Sequence, residues 1–306
     1  MKVLVATQKP FAAVAVNGIK EIVEAAGYEF ALLEKYEQTS ELLAAVADAD
    51  ALIVRSDKVT AEVVDAAKNL KIVVRAGAGY DNLDLAACTA HGVVAMNTPG
   101  QNSNAVAELA VAMMIFMART QFTPATGSEI QGKTVGIQAF GNVGRLVGRK
   151  AAALGMKVKA IDPFLTPEQI VAGGAEPAES LEALYSGCDY VSIHIPATPQ
   201  TIGSIGYDLI ASMPKGATLI NTARKEVIDE AGLAKALEER PDLKYAADVA
   251  PDNIAELKEK FGARVFATPK KMGAQTAEAN INAGLAAARQ IVSFFKDGCT
   301  KFQLNR

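Results

Sequence analysis

KTVGIQAFGNVGRLVGRKAAALGMKVKAIDPF, residues Lys133–Phe164, is the stretch of sequence that indicates the fold most directly. An apolar run over Val135–Phe140 reaches a glycine turn at Gly141, a helix-like segment follows, and a second apolar run ends at Asp162. This strand–turn–helix–strand order is the context that a dinucleotide-binding fingerprint requires. Amides at the helix start would face a pyrophosphate, and Asp162 would accept from the adenosine ribose hydroxyls. Because a carboxylate there repels a 2′-phosphate, the pattern favours NAD over NADP; the alternative is a plain βαβ unit with a glycine turn.

The fingerprint departs from G-x-G-x-x-G at its first position. It reads Ala139-Phe140-Gly141-Asn142-Val143-Gly144. Glycine adopts a positive φ without steric cost, whereas alanine carries a Cβ that opposes it. Alanine is the smallest residue with a Cβ, so survival of the turn is expected on the condition that φ stays negative at Ala139.

Composition and charge narrow the class of protein. A chain of 306 residues, half of them hydrophobic, predicts one large or two ordinary domains with a sizeable core. The net charge of −3 and the lack of a long basic run argue against a nucleic-acid partner. Cys88, Cys188 and Cys299 are odd in number and far apart, which argues against disulfides or a zinc site and for a reducing compartment. With neither a signal peptide nor a bilayer-length apolar run, we expect a cytoplasmic protein with no membrane partner, no metal and a small-molecule substrate.

Apolar runs and helical segments alternate along the whole chain. The runs lack strict alternation of apolar and polar residues, which is typical of parallel strands covered on both faces. The fold class predicted is α/β, with two doubly wound parallel-sheet domains. A long apolar helix over Asn104–Arg119 separates the two blocks, and its near-continuous apolar surface indicates a homodimer interface.

Several motifs together resemble one enzyme family. RAGAGYDNLDL (Arg75–Leu85) is similar to its substrate loop, and NTPGQNSNAVAEL (Asn97–Leu109) to its crossing into the coenzyme domain. LINTARKEVID (Leu219–Asp229) is similar to the strand and turn that carry its catalytic arginine, and Ala247–Val249 to the next cofactor strand. The chain thus resembles the D-isomer-specific 2-hydroxyacid dehydrogenases, and among them the short members that act on D-3-phosphoglycerate.

The resemblance implies a domain arrangement. A Rossmann NAD-binding domain, residues 99–282, would be inserted into a flavodoxin-like substrate domain formed by residues 1–98 and 283–306. The helix over residues 104–119 would join two copies in a homodimer. The C-terminal regulatory ACT domain of longer relatives is expected to be absent.

The resemblance also implies roles for individual residues. Arg224 would be the catalytic arginine that grips the substrate carboxylate; without the family it would be read as a surface arginine closing a strand. Backbone amides of Ala76 and Gly77 would cradle the same carboxylate, and Arg55 would reach a substrate phosphate. Lys9 and Lys58 could add charge there, or simply be solvated. The cofactor-binding residues would be Asn142 and Val143 (pyrophosphate), Asp162 (ribose), Thr222, Ala223 and Arg224 (nicotinamide side), Asp248 (carboxamide), and Gly273 with Ala274 (packing on the cofactor).

The proton-transfer site departs from the family. Relatives place a histidine in a T-P-H-x-G-A-like segment, but this chain reads TPKKMGAQT from Thr268. The histidine slot holds Lys271 when counted back from the glycine and Lys270 when counted forward from the proline; we prefer Lys271. A lysine-bearing subgroup of the family looks similar. The family's partner glutamate is replaced by Asn253 at the matching count. His194 is interpreted as a packing residue.

The two departures are chemically consistent with each other. A histidine base benefits from a carboxylate, but a carboxylate would raise the pKa of a lysine, whose ordinary value near ~10.4 is already too high for a base. Loss of the anion in a desolvated cleft near Arg224 would lower the pKa of Lys271. The resemblance therefore predicts NAD-dependent oxidation of D-3-phosphoglycerate to 3-phosphohydroxypyruvate in serine biosynthesis. The alternatives are another D-2-hydroxy acid, or a non-catalytic NADH-sensing protein with solvated lysines.

Overall fold

The computed structural model describes residues 1–305, which fold into two compact units. The first unit contains Met1–Asn102 and the chain from Thr276 onward; the second, here called the coenzyme unit, contains Ser103–Gln275. The predicted limits lay at residues 98 and 283, so the chain enters the coenzyme unit slightly later, and leaves it earlier, than the resemblance implied. The earlier return coincides with the start of the last helix, which Thr276 caps by accepting from the Ala279 N–H at 3.1 Å.

Strands and helices alternate in the first unit. Its five strands form a parallel sheet in the order β2-β1-β3-β4-β5. Along β1, Leu4 and Ala6 enter one core cluster while Val3 and Val5 enter another, so the strand is buried on both faces and reads as a continuous apolar run. In chain order the elements are Lys2–Thr7 (β1), Ala13–Ala25 (α1), Glu29–Glu34 (β2), Thr39–Val46 (α2), Ala51–Val54 (β3), Ala61–Ala66 (α3), Ile72–Arg75 (β4), Leu85–Ala90 (α4) and Val94–Asn97 (β5).

The coenzyme unit is built around a seven-stranded parallel sheet. The elements are Ser103–Ala118 (α5), Thr134–Gln138 (β6), Asn142–Ala153 (α6), Lys157–Ile161 (β7), Pro167–Ala172 (α7), Glu176–Pro177 (β8), Leu181–Ser186 (α8), Tyr190–Ile193 (β9), Tyr207–Ser212 (α9), Thr218–Asn221 (β10), Glu230–Glu239 (α10), Lys244–Ala247 (β11), Ile254–Phe261 (α11) and Val265–Ala267 (β12). The helix Ala277–Asp297 (α12) then returns to the first unit.

Strand order in the coenzyme sheet is β12-β11-β10-β9-β6-β7-β8. The chain starts at β6, runs outward to β8, and resumes at β9 on the other side of β6. In such sheets, ligands bind at the carboxyl ends of the strands where the order reverses. The turn after β6 therefore lies at the switch point, and the predicted doubly wound fold is confirmed.

Helix α5 is more buried than a purely interfacial helix would be. Its buried residues include Ala107, Ala110 and Met114, which enter the core beneath the sheet, and its exposed positions are Asn104, Glu108 and Ala112. Most of its apolar surface is therefore explained by packing within its own unit.

Three successive residues after α5 adopt a left-handed backbone. The φ angles of Thr120, Gln121 and Phe122 are 50°, 57° and 58°. The Gln121 amide donates to the carbonyls of Ala263 at 3.0 Å and Val265 at 3.2 Å, which fixes this costly turn. Nothing in the local sequence predicts it.

The three cysteines are all unpaired. Cys88 and Cys188 are fully buried, and burial raises the pKa of each thiol to about 11. Cys299 is half-buried. In residues 1–305, no helix is long and apolar enough to cross a membrane.

Candidate functional site

The turn between β6 and α6 differs from expectation at Ala139. Its φ is +72°, so the turn forms even though the condition of a negative φ is not met. The Ala139 N–H donates to the Ile161 carbonyl at 2.9 Å, and a Cβ on Gly144 would lie only 2.2 Å from the Ala139 oxygen. The turn is thus closed between β7 and the first turn of α6, and this closure requires the left-handed conformation. An alanine there costs about 1–2 kcal/mol, which the surrounding structure offsets.

The start of α6 has the features of an anion site. Its N-cap, Gly141, supplies no side-chain hydrogen bond, and nothing lies within 4 Å of a Cβ added there. Asn142 is exposed and Val143 half-buried. The first amides of a helix have no acceptor within it, so these N–H groups remain available to a diphosphate.

Asp162 directly follows β7 and links two backbone segments. Its Oδ2 accepts from the Phe140 N–H at 2.8 Å, and its Oδ1 accepts from the Phe164 N–H at 2.9 Å. Each carboxylate oxygen keeps a further lone pair. The half-buried Asp162 can therefore hold the fingerprint turn and accept from ribose hydroxyls at the same time.

Asn221 shapes the turn that follows β10. Its Oδ1 accepts from the Ala223 N–H at 3.0 Å, and its Nδ2 donates to the Arg224 carbonyl at 2.9 Å. The Thr222 Oγ1 is buried and has no partner among the described residues. A buried hydroxyl without a partner is costly, so this atom fits a site completed by a polar ligand. Arg224 is half-buried, and its Nη1 donates to the Ala223 carbonyl at 3.0 Å.

Asp248 directly follows β11 and is only 1% exposed. Its Oδ1 accepts from the Met272 N–H at 2.7 Å and its Oδ2 from the Gly273 N–H at 2.8 Å. The Thr268 Oγ1 lies 3.0 Å from Oδ1. Asp248, the residue assigned to the carboxamide, therefore also anchors Thr268–Gly273, here called the lysine segment. Sequence reasoning missed this role.

Lys270 and Lys271 are both exposed in this structure, so the desolvation expected around Lys271 is not present here. Asn253 occupies the position of the family glutamate, and its Oδ1 is buried without a partner among the described residues. Gly273 is buried, and a Cβ there would approach Asp248 Oδ2 to 2.9 Å; Ala274 is half-buried.

His194 directly follows β9 and is held as a packing residue. Its Nε2 lies 3.0 Å from Ser192 Oγ, and its backbone N–H donates to the Gln138 carbonyl at 2.9 Å. Burial lowers the pKa of His194 to about 3, so the ring is neutral at physiological pH.

In the first unit, the Arg55 side chain makes three hydrogen bonds to other residues of the protein. Its Nη1 donates to the carbonyls of Lys9 and Pro10, both at 2.9 Å, and its Nη2 donates to Asn280 Oδ1 at 2.6 Å. Burial lowers the pKa of the Arg55 guanidinium. Its Nε–H and one Nη2 hydrogen make none of these bonds. Lys9 and Lys58 are both exposed.

Both amides of the predicted carboxylate cradle are bonded within the protein in this structure. The Ala76 N–H donates to the Val54 carbonyl at 2.8 Å, so this bond would have to open for the amide to bind a substrate. The Gly77 N–H donates to the Arg75 carbonyl at 2.9 Å, a bond spanning only two residues. Gly77 has a φ of +152°, a conformation that residues with a side chain rarely adopt, and a Cβ there would displace the Arg75 guanidinium, whose Nη1 would lie 1.2 Å away. The bond of Gly77 would have to open for its amide to serve.

The structure thus brings most predicted cofactor and catalytic residues to one edge of the coenzyme sheet. They follow the carboxyl ends of β6, β7, β10, β11 and β12. Arg55, Ala76 and Gly77 follow β3 and β4 of the other unit.

Comparison with known proteins gives a consistent result. The family profile described as D-isomer specific 2-hydroxyacid dehydrogenase, NAD binding domain, matches residues 106–273. D-3-phosphoglycerate dehydrogenase of Mycobacterium bovis is 39% identical over 266 residues, 82% of this chain and 50% of that protein. The rat protein of the same name is 36% identical over 84% of this chain and 50% of its own length. The chain therefore spans about half the length of these curated relatives.

A solved structure matches over the full length. It is described as NAD+-bound 3-phosphoglycerate dehydrogenase of Entamoeba histolytica, and it is 49% identical, with a TM-score of 0.89 over 100% of this chain and 99% of that one. A Thermus thermophilus protein of 27% identity has a TM-score of 0.76 and covers 97% of both chains. These matches confirm the predicted NAD cofactor, in agreement with the anion site at α6 and the unpartnered Thr222 hydroxyl.

Proposed function

This chain belongs to the D-isomer-specific 2-hydroxyacid dehydrogenase family, and from that premise we propose that it is an NAD-dependent dehydrogenase that oxidises D-3-phosphoglycerate to 3-phosphohydroxypyruvate for serine synthesis. The observation that carries the proposal is full-length similarity to the Entamoeba protein, because the curated relatives match over only half their length. The proposed setting is a reducing compartment such as the cytoplasm, in line with three unpaired cysteines.

In this proposal, Arg224 and Arg55 bind the two anionic groups of the substrate. Arg224 would bind the carboxylate and stabilise negative charge on the C2 oxygen, because a guanidinium offers two parallel donors. Arg55 would contact the phosphate through its Nε–H and remaining Nη2 hydrogen. The chemistry that bound NAD supplies is acceptance of the hydride from C2. Residues Asn142, Val143, Asp162 and Thr222 would hold it.

Lys271 would accept the proton of the C2 hydroxyl. Replacing a glutamate by Asn253 removes a carboxylate that would raise the pKa of a lysine, and the charge of Arg224 acts in the opposite direction. Because Lys271 is exposed in this structure, the proposal requires bound ligands to exclude water around its ammonium group.

The reaction can be tested by following NADH absorbance. Rapid loss with 3-phosphohydroxypyruvate, and slow loss with pyruvate or 2-oxoglutarate, supports the proposal. A second candidate, another D-2-hydroxy acid, is favoured by the three hydrogen bonds that Arg55 makes to its own protein. Faster loss with either unphosphorylated keto acid would select that candidate. No loss with any of the three would favour an NADH-binding protein without catalysis.

The base can be tested by substitution and chemical rescue. Lys271→Ala should lower kcat by about 10²–10⁴-fold, the range for loss of a general base, and Lys270→Ala is the matched control. Added ethylamine should restore part of the lost rate in Lys271→Ala and have no effect on Lys270→Ala. Near-normal turnover of Lys271→Ala would refute Lys271 as the base.

We also propose that a second copy packs on α5. The support is a surface groove lined by Glu108, Ala112 and Leu154, where Glu108 and Ala112 are exposed and Leu154 is 43% exposed. Sedimentation should show a dimer that Ala112→Arg converts to a monomer, with Ala152→Arg on the exposed face of α6 as the control. A monomeric wild-type protein would contradict this proposal.

A further inference from the structure

The segment Thr268–Gly273 is held to the end of β11 by a dense set of hydrogen bonds. It begins where the Thr268 N–H donates to the Ala247 carbonyl at 3.0 Å. It ends where the amides of Met272 and Gly273 both bond to Asp248. Between these points lie two exposed lysines whose sequence register allows either one to be the base.

Among the residues that the structure describes, hydrogen bonds to Thr268 and Asp248 hold the backbone on both sides of Lys271, but on only one side of Lys270. The Lys270 carbonyl, in the peptide group just before Lys271, lies 2.8 Å from the Thr268 Oγ1. The Met272 N–H, in the peptide group just after Lys271, donates to Asp248 Oδ1. Both peptide groups that flank the Lys271 Cα are therefore held. Within the described residues, neither Asp248 nor Thr268 bonds to the peptide group that precedes Lys270.

The Thr268 hydroxyl has one hydrogen and three possible acceptors for it. The Thr268 Oγ1 is also close to the carbonyl oxygen and Oδ1 of Asp248, at 2.8 and 3.0 Å. A threonine hydroxyl donates only once. Asp248 Oδ1 already accepts from the Met272 amide, and the clamp requires that the Thr268 hydrogen goes to the Lys270 carbonyl, which is as near as the Asp248 carbonyl.

Asp248 is itself well placed to act as an anchor. It is buried, it follows β11 directly, and its own N–H donates to the Asn221 carbonyl at 2.9 Å at the end of β10. A group on rigid strands holds a neighbouring loop more accurately than another loop would. The close approach of its Oδ2 to Gly273 further fixes the C-terminal side of the segment.

We propose that Asp248 and Thr268 are positioning residues that clamp the backbone on both sides of Lys271, so that Lys271 rather than Lys270 is presented to the substrate. The inference rests on the proposed function and deepens it. Neither residue accepts the proton, and both act by positioning Lys271.

Thr268→Val tests the clamp, because valine has the same shape and no hydroxyl. It should lower kcat at least about tenfold, since small misplacement of a catalytic group is costly. The KM for phosphohydroxypyruvate and the Kd for NADH should stay within about twofold. Thr268→Ser should restore kcat. Thr218→Val, at another buried threonine of the coenzyme unit, is the matched control and should leave kcat unchanged.

Double variants show whether the effect passes through Lys271. Thr268→Val should cause no further loss in Lys271→Ala, but the full loss in Lys270→Ala. An equal loss in both backgrounds would overturn the clamp while leaving the proposed base intact.

Hydrogen exchange tests the clamp independently of the reaction. Amides of residues 271–273 should exchange faster in Thr268→Val than in the wild type or Thr218→Val. Unchanged exchange would overturn the clamp even if the wild type turned over no substrate.

Discussion

Asp162 and Asp248 hold equivalent places at two ends of the same sheet. Each directly follows a parallel strand, β7 and β11, and each accepts from two backbone amides. They differ in burial, because Asp162 is half-buried and Asp248 is almost completely enclosed. Water can replace the first carboxylate if it is lost, but it cannot reach the amides around the second as easily. We therefore expect burial, and not the count of hydrogen bonds to backbone amides, to set how much each carboxylate contributes to stability.

The largest expected effect is on stability. Asp248→Ala would leave the amides of Met272 and Gly273 without acceptors, at about 1–3 kcal/mol each. We expect a loss of about 3 kcal/mol, against about 1 kcal/mol for Asp162→Ala, where water can solvate the freed amides. Thermal unfolding of the two variants measures the difference. Equal decreases in Tm would contradict the role of burial.

The second effect concerns the cofactor. Asp162→Ala should weaken NADH binding about tenfold, because the charge-assisted hydrogen bonds proposed between Asp162 and the adenosine ribose would be lost. The preference for NADH over NADPH should shrink as well, since the carboxylate no longer repels the 2′-phosphate. Fluorescence titration with both cofactors gives the ratio. Asp208→Ala, on the exposed face of α9, is a control for loss of charge, and a ratio that matches this control would argue against the ribose role.

His194, at the end of a third strand, is a neutral group that can be compared with the carboxylates of Asp162 and Asp248. His194 follows β9, and its pKa of about 3 lies below the ordinary value of ~6.5. Between these values the unfolded chain binds a proton that the folded chain does not. Stability should therefore fall as the pH drops below ~6.5, by up to about 1.4 kcal/mol per pH unit.

Urea unfolding of the wild type and His194→Gln at pH 7.5, 6.0 and 5.0 measures this dependence. The variant has no titrating ring, so its midpoint should change less over the same range. Parallel profiles would show that the imidazole is not held neutral by burial.

The smallest effect is a gain. Ala139→Gly should raise stability by about 1 kcal/mol, because glycine removes the Cβ from a left-handed position. Ala152→Gly, at an exposed position in the last turn of α6, should instead lower stability, because glycine has a lower helix propensity than alanine. A differential measurement of Tm separates the two signs. A loss in Ala139→Gly would mean that the methyl group makes a favourable contact that outweighs the backbone cost.

The sequence predicts the features that depend on local pattern. The alternating elements, the switch-point turn and the position of Asp162 all follow from apolar runs and a glycine turn. The backbone of Ala139 does not, because its φ is imposed by contacts with Ile161 and Gly144 in the folded sheet. The internal bond of the Ala76 amide depends in the same way on a neighbouring strand.

Long-range contacts account for the rest. The clamp joins Asp248 to amides more than twenty residues away, and no spacing rule reveals which oxygen meets which N–H. The left-handed turn at Thr120–Phe122 contains no glycine and depends on carbonyls of Ala263 and Val265. Family resemblance identified the lysine segment but left its register open, and the proposed choice of Lys271 rests on the hydrogen bonds to the peptide groups on either side of it.

The distribution of thiols has a practical consequence for spectroscopy. Cys88 and Cys188 are buried and their thiols have raised pKa values, so only a very small fraction of either thiol is ionised and reactive at neutral pH. Cys299 is half-buried and close to the end of the chain. A maleimide dye should therefore attach to the native protein chiefly at this one site, so that ligand-dependent changes in fluorescence can be recorded without first engineering a cysteine-free background.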